Sequence, residues 1–242
     1  MIVKMMPGSV GFFGKLPAHG DFIHRNLPAH FINFWDQWLQ CYVSGSREQL
    51  GEQWLDIYLT SPIWRFFFST GVIDDSQWAG IILPSVDRVG RYFPFSIVAQ
   101  TDGRINPMNF IARQNNWYQV LEETALAALD GQMVLDELAE KIQHVEIADM
   151  DVYKPVVSTV AEGIVVEIDA EEQTPMKAFP SLLDAFITQS LTSYSAWTTR
   201  GSQLVAPCTF IVHGLPGSGK VAAMLDGRWE QWGWNQPYSM SE

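Results

Sequence analysis

The feature that most constrains this chain is an aromatic helix face near its start. Phe31, Phe34, Trp35, Trp38, Leu39 and Tyr42 recur at i, i+3, i+4, i+7, i+8 and i+11, the spacing of one side of an α-helix. Six large apolar groups on one stripe need a broad apolar surface to lie against, so this helix anchors a core. Pro28 suits its first turn, and Ser44-Gly45-Ser46 is where the pattern predicts its end. Upstream, Val10 to Phe13 reads as a strand closed by Gly14 and Pro17. Between strand and helix, the turn from Gly14 to Arg25 carries Lys15, Asp21 and Arg25. Packing of the helix does not account for these charges, so the search for function begins there.

Further along, Arg47 to Leu59 reads as a second helix stopped by Ser61-Pro62. Three β-rich runs follow: Ile63 to Thr70, Trp78 to Leu83 and Tyr92 to Gln100. Their short connections favour an antiparallel meander, because parallel crossovers need a dozen or more residues. Asn109 to Leu129 is predicted helical, with Trp117, Val120, Leu121, Thr124 and Leu129 facing inward, and Met133 to Ile142 forms a shorter helix. Gly163 to Ile168 and Leu204 to His213 read as strands, and Lys177 to Leu191 as a helix. The tail from Trp229, with Trp232 and Trp234, is expected to fold back over the body. The fold class is therefore α+β: a mixed, largely antiparallel sheet flanked by helices. At 242 residues, the expectation is one domain over 1–242, with a signature-bearing part to about residue 130 and an acidic part beyond it.

Composition narrows function by exclusion. Hydrophobic residues make up 47% and charged residues 17%, enough to build a sizeable core. The net charge is −12, and residues 136–172 alone contribute −9 of it. Such a balance opposes nucleic-acid binding and docking on anionic lipid, both of which need clustered Lys and Arg. Cys41 and Cys208 are the only cysteines; their spacing suits a reducing compartment and leaves a single disulfide open. No apolar run is long enough to span a membrane, and MIVKMMPGSV lacks the apolar core of a signal peptide. The expectation is a cytoplasmic protein.

Most chemical motifs fail on inspection. Gly214 to Lys220, GLPGSGK, satisfies G-x-x-x-x-G-K, yet Val221 stands where magnesium binding needs a hydroxyl. Only 22 residues follow Lys220, too few for the rest of a nucleotide fold, so a plain turn is the expected reading. His19, Asp21, His24 and His30 cluster in sequence without helical i, i+4 spacing or paired cysteines, so no metal site is expected. No serine lies in G-x-S-x-G, and no catalytic set stands out. What remains is Lys15, Asp21 and Arg25 in one turn with Asp87, Arg88 and Arg91 in another, both at strand ends. If the two strands lie close, the turns converge on one sheet edge. Two readings are compatible: an ion pair from Asp21 to Arg88 or Arg91 locks the loops together, and Lys15 with Arg88 projects as the more exposed contacts.

The same residues carry a resemblance. GFFGKLPAHGDFIHRNLP followed by FWDQWL, and then LPSVDRVGRYFPF from Leu83 to Phe95, resemble the two signature blocks of the TagF family of type VI secretion-associated proteins. Weaker echoes continue at Ser195 to Ser202 and Gly214 to Gly227. The resemblance implies a non-enzymatic, post-translational negative regulator of bacterial type VI secretion that engages the system's FHA-domain scaffold protein, with other secretion-system subunits as further partners. It implies no cofactor. Some relatives are fused to a PP2C-like phosphatase, whose metal-binding aspartate array is not found here, so a stand-alone domain is expected. The positions matching the blocks, and so the candidate signature surface, are Gly14, Lys15, Leu16, Pro17, Gly20, Asp21, Arg25, Ser85, Asp87, Gly90 and Arg91. Two alternatives stay open: a chaperone-like accessory holding a secretion subunit, and a nucleotide-binding regulator using residues 214–220.

Overall fold

The computed structural model describes residues 2–3, 10–101, 105–145, 147–148, 150–151, 164–168 and 174–238. Its centre is a seven-stranded sheet in the order β3-β2-β6-β5-β4-β8-β9. The strands are β2 (Val10–Gly14), β3 (Ile23–Arg25), β4 (Trp64–Phe68), β5 (Gln77–Leu83), β6 (Phe95–Thr101), β8 (Tyr194–Thr199) and β9 (Cys208–His213). Every neighbouring pair is antiparallel, so the predicted meander is present as β4-β5-β6. A separate antiparallel pair joins β1 (Ile2–Val3) to β7 (Met150–Asp151).

Helices cover both faces of the sheet. On one side lie α1 (Ala29–Leu50), α2 (Trp54–Leu59) and the short α7 (Ala223–Asp226). On the other lie α3 (Pro107–Arg113), α4 (Asn115–Leu129) and α5 (Leu135–Gln143), with α6 (Phe179–Ser190) beside them. Successive strand residues feed opposite cores, as the period of two requires. Phe66 and Phe68 join Phe31, Trp35, Leu39, Trp78 and Trp197 under α1. Phe67 instead joins Phe12, Ile97, Phe110, Trp117 and Tyr118 under α3 and α4. With both faces covered, β4 and β5 are buried at every position and, apart from Arg65 and Gln77, read as continuous apolar runs rather than alternating ones.

The aromatic face of α1 packs much as its spacing dictates. Phe31, Trp35, Leu39 and Tyr42 are buried, Trp38 is half-buried and Phe34 lies at the stripe's exposed margin. The helix does not stop at Ser44-Gly45-Ser46, as the sequence predicts, but runs 22 residues to Leu50. Tertiary contacts hold those positions helical. Ser44 Oγ turns back within the helix to donate to Gln40 O at 2.7 Å, while from outside it Trp54 Nε1 donates to Ser46 Oγ at 2.9 Å. A Cβ on Gly45 would lie 2.6 Å from Ser218 O, so glycine there admits the 214–220 loop at a helix cost of about 1 kcal/mol.

Other departures from expectation are local. The predicted helix 109–129 is two, α3 and α4, broken at Gln114. Trp117, Leu121 and Thr124 are buried as predicted. β3 and β8 are strands that the sequence pattern does not mark, and β9 begins only at Cys208. Residues 164–168 form no strand, and Gly163 lies outside the described residues, as does much of the acidic 136–172 stretch. Both cysteines are free thiols; burial pushes that of Cys208 up to about 11. The tail folds back, with Trp229 and Trp234 against Phe210 and Trp232 Nε1 donating to Asp226 Oδ2 at 2.8 Å.

Candidate functional site

The two signature turns are neighbours because β2 pairs with both β3 and β6. Gly14 stands opposite Ile23 on one side and Phe95 on the other. It has φ +135°, and a Cβ there would sit 2.1 Å from Pro94 O. Only glycine allows this close crossing, which brings the turn after β2 beside the turn between β5 and β6. Within the second turn, Val86 bridges to Tyr92 and Gly90 adopts φ +87°.

Asp87 is the hub. Its carboxylate accepts from Lys15 Nζ at 2.8 Å and from Arg91 Nε at 2.6 Å, both through Oδ2. Its Oδ1 accepts from the backbone N–H of Val89 at 3.0 Å and of Arg91 at 2.9 Å. Burial by itself would raise this carboxyl; the Lys15 ammonium, the Arg91 backbone and guanidinium and the Val89 N–H outweigh it and hold the group well below the usual carboxylate range. In return, the Asp87 carboxylate strengthens the charge on Arg91. Ser85, also buried, donates from Oγ to Lys15 O at 2.7 Å, and Tyr58 donates to Ser85 O at 3.1 Å. Arg88 N–H closes on His19 O at 2.9 Å, and Arg91 Nη2 also donates to Gly20 O. Lys15 Nζ lies 4.9 Å from the centroid of the Phe22 ring, which stacks on Phe13 and meets Phe93 edge-on. Two loops are thus tied at side-chain and backbone level into one rigid body.

The candidate residues divide by depth. Gly14, Lys15, Leu16, Ser85 and Asp87 are buried, and Pro17 and Gly20 are half-buried. Asp21, Arg88, Gly90 and Arg91 are exposed. The lock between the loops is therefore not the Asp21 pair that the sequence suggests. Asp21 is nearly fully exposed and lies 3.5 Å from Arg91, whereas the lock is centred on the buried Lys15–Asp87 pair, with Arg91 closing it from the surface. Nor is Lys15 an exposed contact: it is 5% accessible, since a lysine that finds a buried carboxylate keeps its charge inside. Arg25 leaves the cluster and pairs with Asp136 of α5. Sequence reasoning missed Phe22 and Val89, apolar residues that stay 46% and 65% exposed: Phe22 packs one side on Phe13 and Phe93 and leaves the other to solvent.

The remaining motifs resolve into packing. The 214–220 loop turns its carbonyls toward α1: Pro216 O accepts from Trp38 Nε1 at 2.9 Å and Gly219 O from Gln49 Nε2 at 2.5 Å. Lys220 lies over the Trp234 ring, and the helix that follows has four residues, too short to present a phosphate-binding end. His30 pairs with Asp74 at 2.6 Å, away from His19 and His24. Among the described residues, no three His, Cys, Asp or Glu side chains come together as a metal would require. A cavity of about 130 Å³ lies by Ile63, Glu122, Thr199, Arg200 and Gly201. Its Glu122 is already held by Arg65 through Nε and Nη2 at 2.5 and 2.9 Å.

These loops can be set beside known proteins. No curated protein matches the chain. Among solved structures, the crystal structure of PA0076 from Pseudomonas aeruginosa PAO1 at 2.05 Å resolution aligns with a TM-score of 0.77 and 27% identity, covering 97% of this chain and 100% of that one. A family model described as the TagF N-terminal domain, type VI secretion system-associated, matches residues 11–145. That span is more than half of the 242 residues and contains both locked turns, so the chain belongs to the TagF family of type VI secretion-associated proteins.

Proposed function

We propose that the protein is a non-enzymatic negative regulator of type VI secretion, acting by binding the system's FHA-domain scaffold through the two locked turns. One observation carries this reading: Phe22, Arg88 and Val89 are exposed on a base made rigid by the buried Lys15–Asp87 pair and the Arg91 that closes over it. A preorganised loop pair loses little conformational freedom on binding, so its exposed apolar and guanidinium groups yield more affinity. Arginine and aromatic side chains are the types enriched at interface centres, and Arg88 and Phe22 supply one of each. The buried members of the signature act through shape, and the exposed ones through contact.

Calorimetry with the purified FHA-domain protein tests it. Arg88→Glu and Val89→Asp alter exposed side chains outside the core, so both variants stay folded by circular dichroism, and each weakens binding by roughly tenfold or more. Full-strength binding by both moves the interface elsewhere. No binding by the wild type sinks the scaffold reading, and a stoichiometric complex with a sheath or baseplate protein would then favour the accessory role. In cells, loss of the protein raises secreted type VI substrate in the medium; wild type restores restraint and Arg88→Glu does not.

A further inference from the structure

The two edges of the sheet are built differently. At one, β3 is three residues long and carries Arg25, with Pro28 soon after it; a short, charged edge resists further pairing. At the other, β9 is six residues, CTFIVH, with no proline, lysine or acid. Gly214 N–H bonds to Ser193 O, so by the alternation of an antiparallel ladder Phe210 and Val212 face β8. Thr209, Ile211 and His213 then turn their backbone N–H and C=O groups outward. Among the described residues, no strand pairs with that side.

We infer that the outer edge of β9 is a homodimer interface, where a second copy of this chain pairs antiparallel about a two-fold axis at Ile211. The outward groups are symmetric about that residue: Ile211 meets its own copy, Thr209 meets the partner's His213, and the reverse. Three such pairs give about six backbone hydrogen bonds. Both flanks of the edge repeat under the same axis. On one face Phe210 lies beneath Trp229 and Trp234, and pairing brings it against the partner's Val212, joining two aromatic clusters. On the other face Ile211 and Thr209 lie on the same side as Tyr194, whose hydroxyl donates to Asp184 of α6. That helix leaves Phe179, Leu183 and Phe186 exposed at i, i+4 and i+7. A strand pair alone falls short of the roughly 1,600 Å² of a stable interface, and these flanking apolar groups supply further area.

Charge favours a second copy as the occupant. The chain carries −12, so two copies repel over most of their surfaces. Yet Gly201 to Gly219 holds no Asp, Glu, Lys or Arg. From Ala178 to Thr199 the one charged residue is Asp184, which is buried and hydrogen-bonded. The charges bordering this flank, Arg200, Lys220, Arg228 and Glu230, are few and of mixed sign, so two copies approach here at a lower like-charge cost than across the acidic surface.

Sedimentation velocity and light scattering on the full chain test the inference. At about 50 µM, wild type runs at twice the 27.3 kDa chain mass. Thr209→Pro removes an outward N–H from an exposed residue and no backbone bond of the β8 ladder, losing on that side only the Thr209 Oγ1 to Thr198 Oγ1 bond, and raises the dimer dissociation constant at least tenfold. Leu183→Glu, on the exposed face of α6, keeps the fold and weakens the dimer through the flank. A monomeric wild type overturns the proposal and leaves the edge to a strand from another protein. A dimer unaffected by both substitutions also overturns it, by placing the contact elsewhere.

Discussion

Asp87 shows how one residue sets the character of the site. Its folded-state carboxyl lies below the ordinary value of 3.8, so its contribution to stability is complete above about pH 5 and is lost as pH falls through that value toward the folded one. Melting temperature followed from pH 6 downward therefore declines in wild type. Asp87→Asn starts lower and flattens the part of the decline that Asp87 supplies, because the amide cannot titrate and leaves Lys15 buried without its carboxylate. An unchanged acid slope in Asp87→Asn would show that the lock does not stabilise the fold. Asp21→Ala, by contrast, shifts melting by less than about 1 °C, since an exposed pair at 3.5 Å contributes little. Gly14 is the other decisive residue. Gly14→Ala adds a Cβ that must displace the Pro94 carbonyl in a backbone conformation alanine rarely adopts, and costs about 2–4 kcal/mol in chemical denaturation.

At the level of elements, β4 and α4 are joined by a charge pair inside the core. Arg65 sits mid-strand, 6% exposed, and grips Glu122 of α4 with two nitrogens while Nη1 reaches Asn115 Oδ1 at 2.8 Å. Arg65→Ala leaves the buried Glu122 with only the distant Arg200 guanidinium, 3.9 Å away, at a cost of about 3 kcal/mol in urea unfolding. A paired replacement, Arg65→Met with Glu122→Leu, recovers most of it; failure to recover would mean the pair also specifies packing. α1 shows the complementary case, an element longer than its local signals suggest. Gly45 and two serines weaken the helix intrinsically, but Trp54 and the 214–220 loop bind that stretch from outside. Trp38→Phe, which loses the bond to Pro216 O, destabilises by roughly 1 kcal/mol and loosens the loop to amide hydrogen exchange.

For the molecule as a whole, helices on both faces make an antiparallel sheet as dry as a parallel one, which explains the heavy use of Phe and Trp. Among the described residues, that geometry presents apolar groups to solvent at the locked turns and the α6 stripe, and unpaired backbone at the β9 edge. The first is the proposed scaffold contact and the last two form the proposed dimer flank, so substitutions at Arg88 and Thr209 separate the two activities. Arg88→Glu is expected to lose the scaffold and keep the dimer, and Thr209→Pro to do the reverse. Loss of both by either variant would tie the surfaces together.

Local signals determined α1 and its buried stripe through helical periodicity, and the β4-β5-β6 meander and with it the α+β class through apolar runs joined by short connections. The pairing of the two signature turns was also legible, as charged residues at strand ends with no packing role. Which charges meet was not. Asp87 and Asp21 look alike in sequence, and only the crossing at Gly14 puts Lys15 beneath one of them and leaves the other in solvent. The same holds for β3 and β8, short strands whose identity comes from the neighbour they pair with. Pairing partners, the depth of a charge and the openness of an edge are long-range properties, set when distant segments meet, and tertiary structure alone decided them.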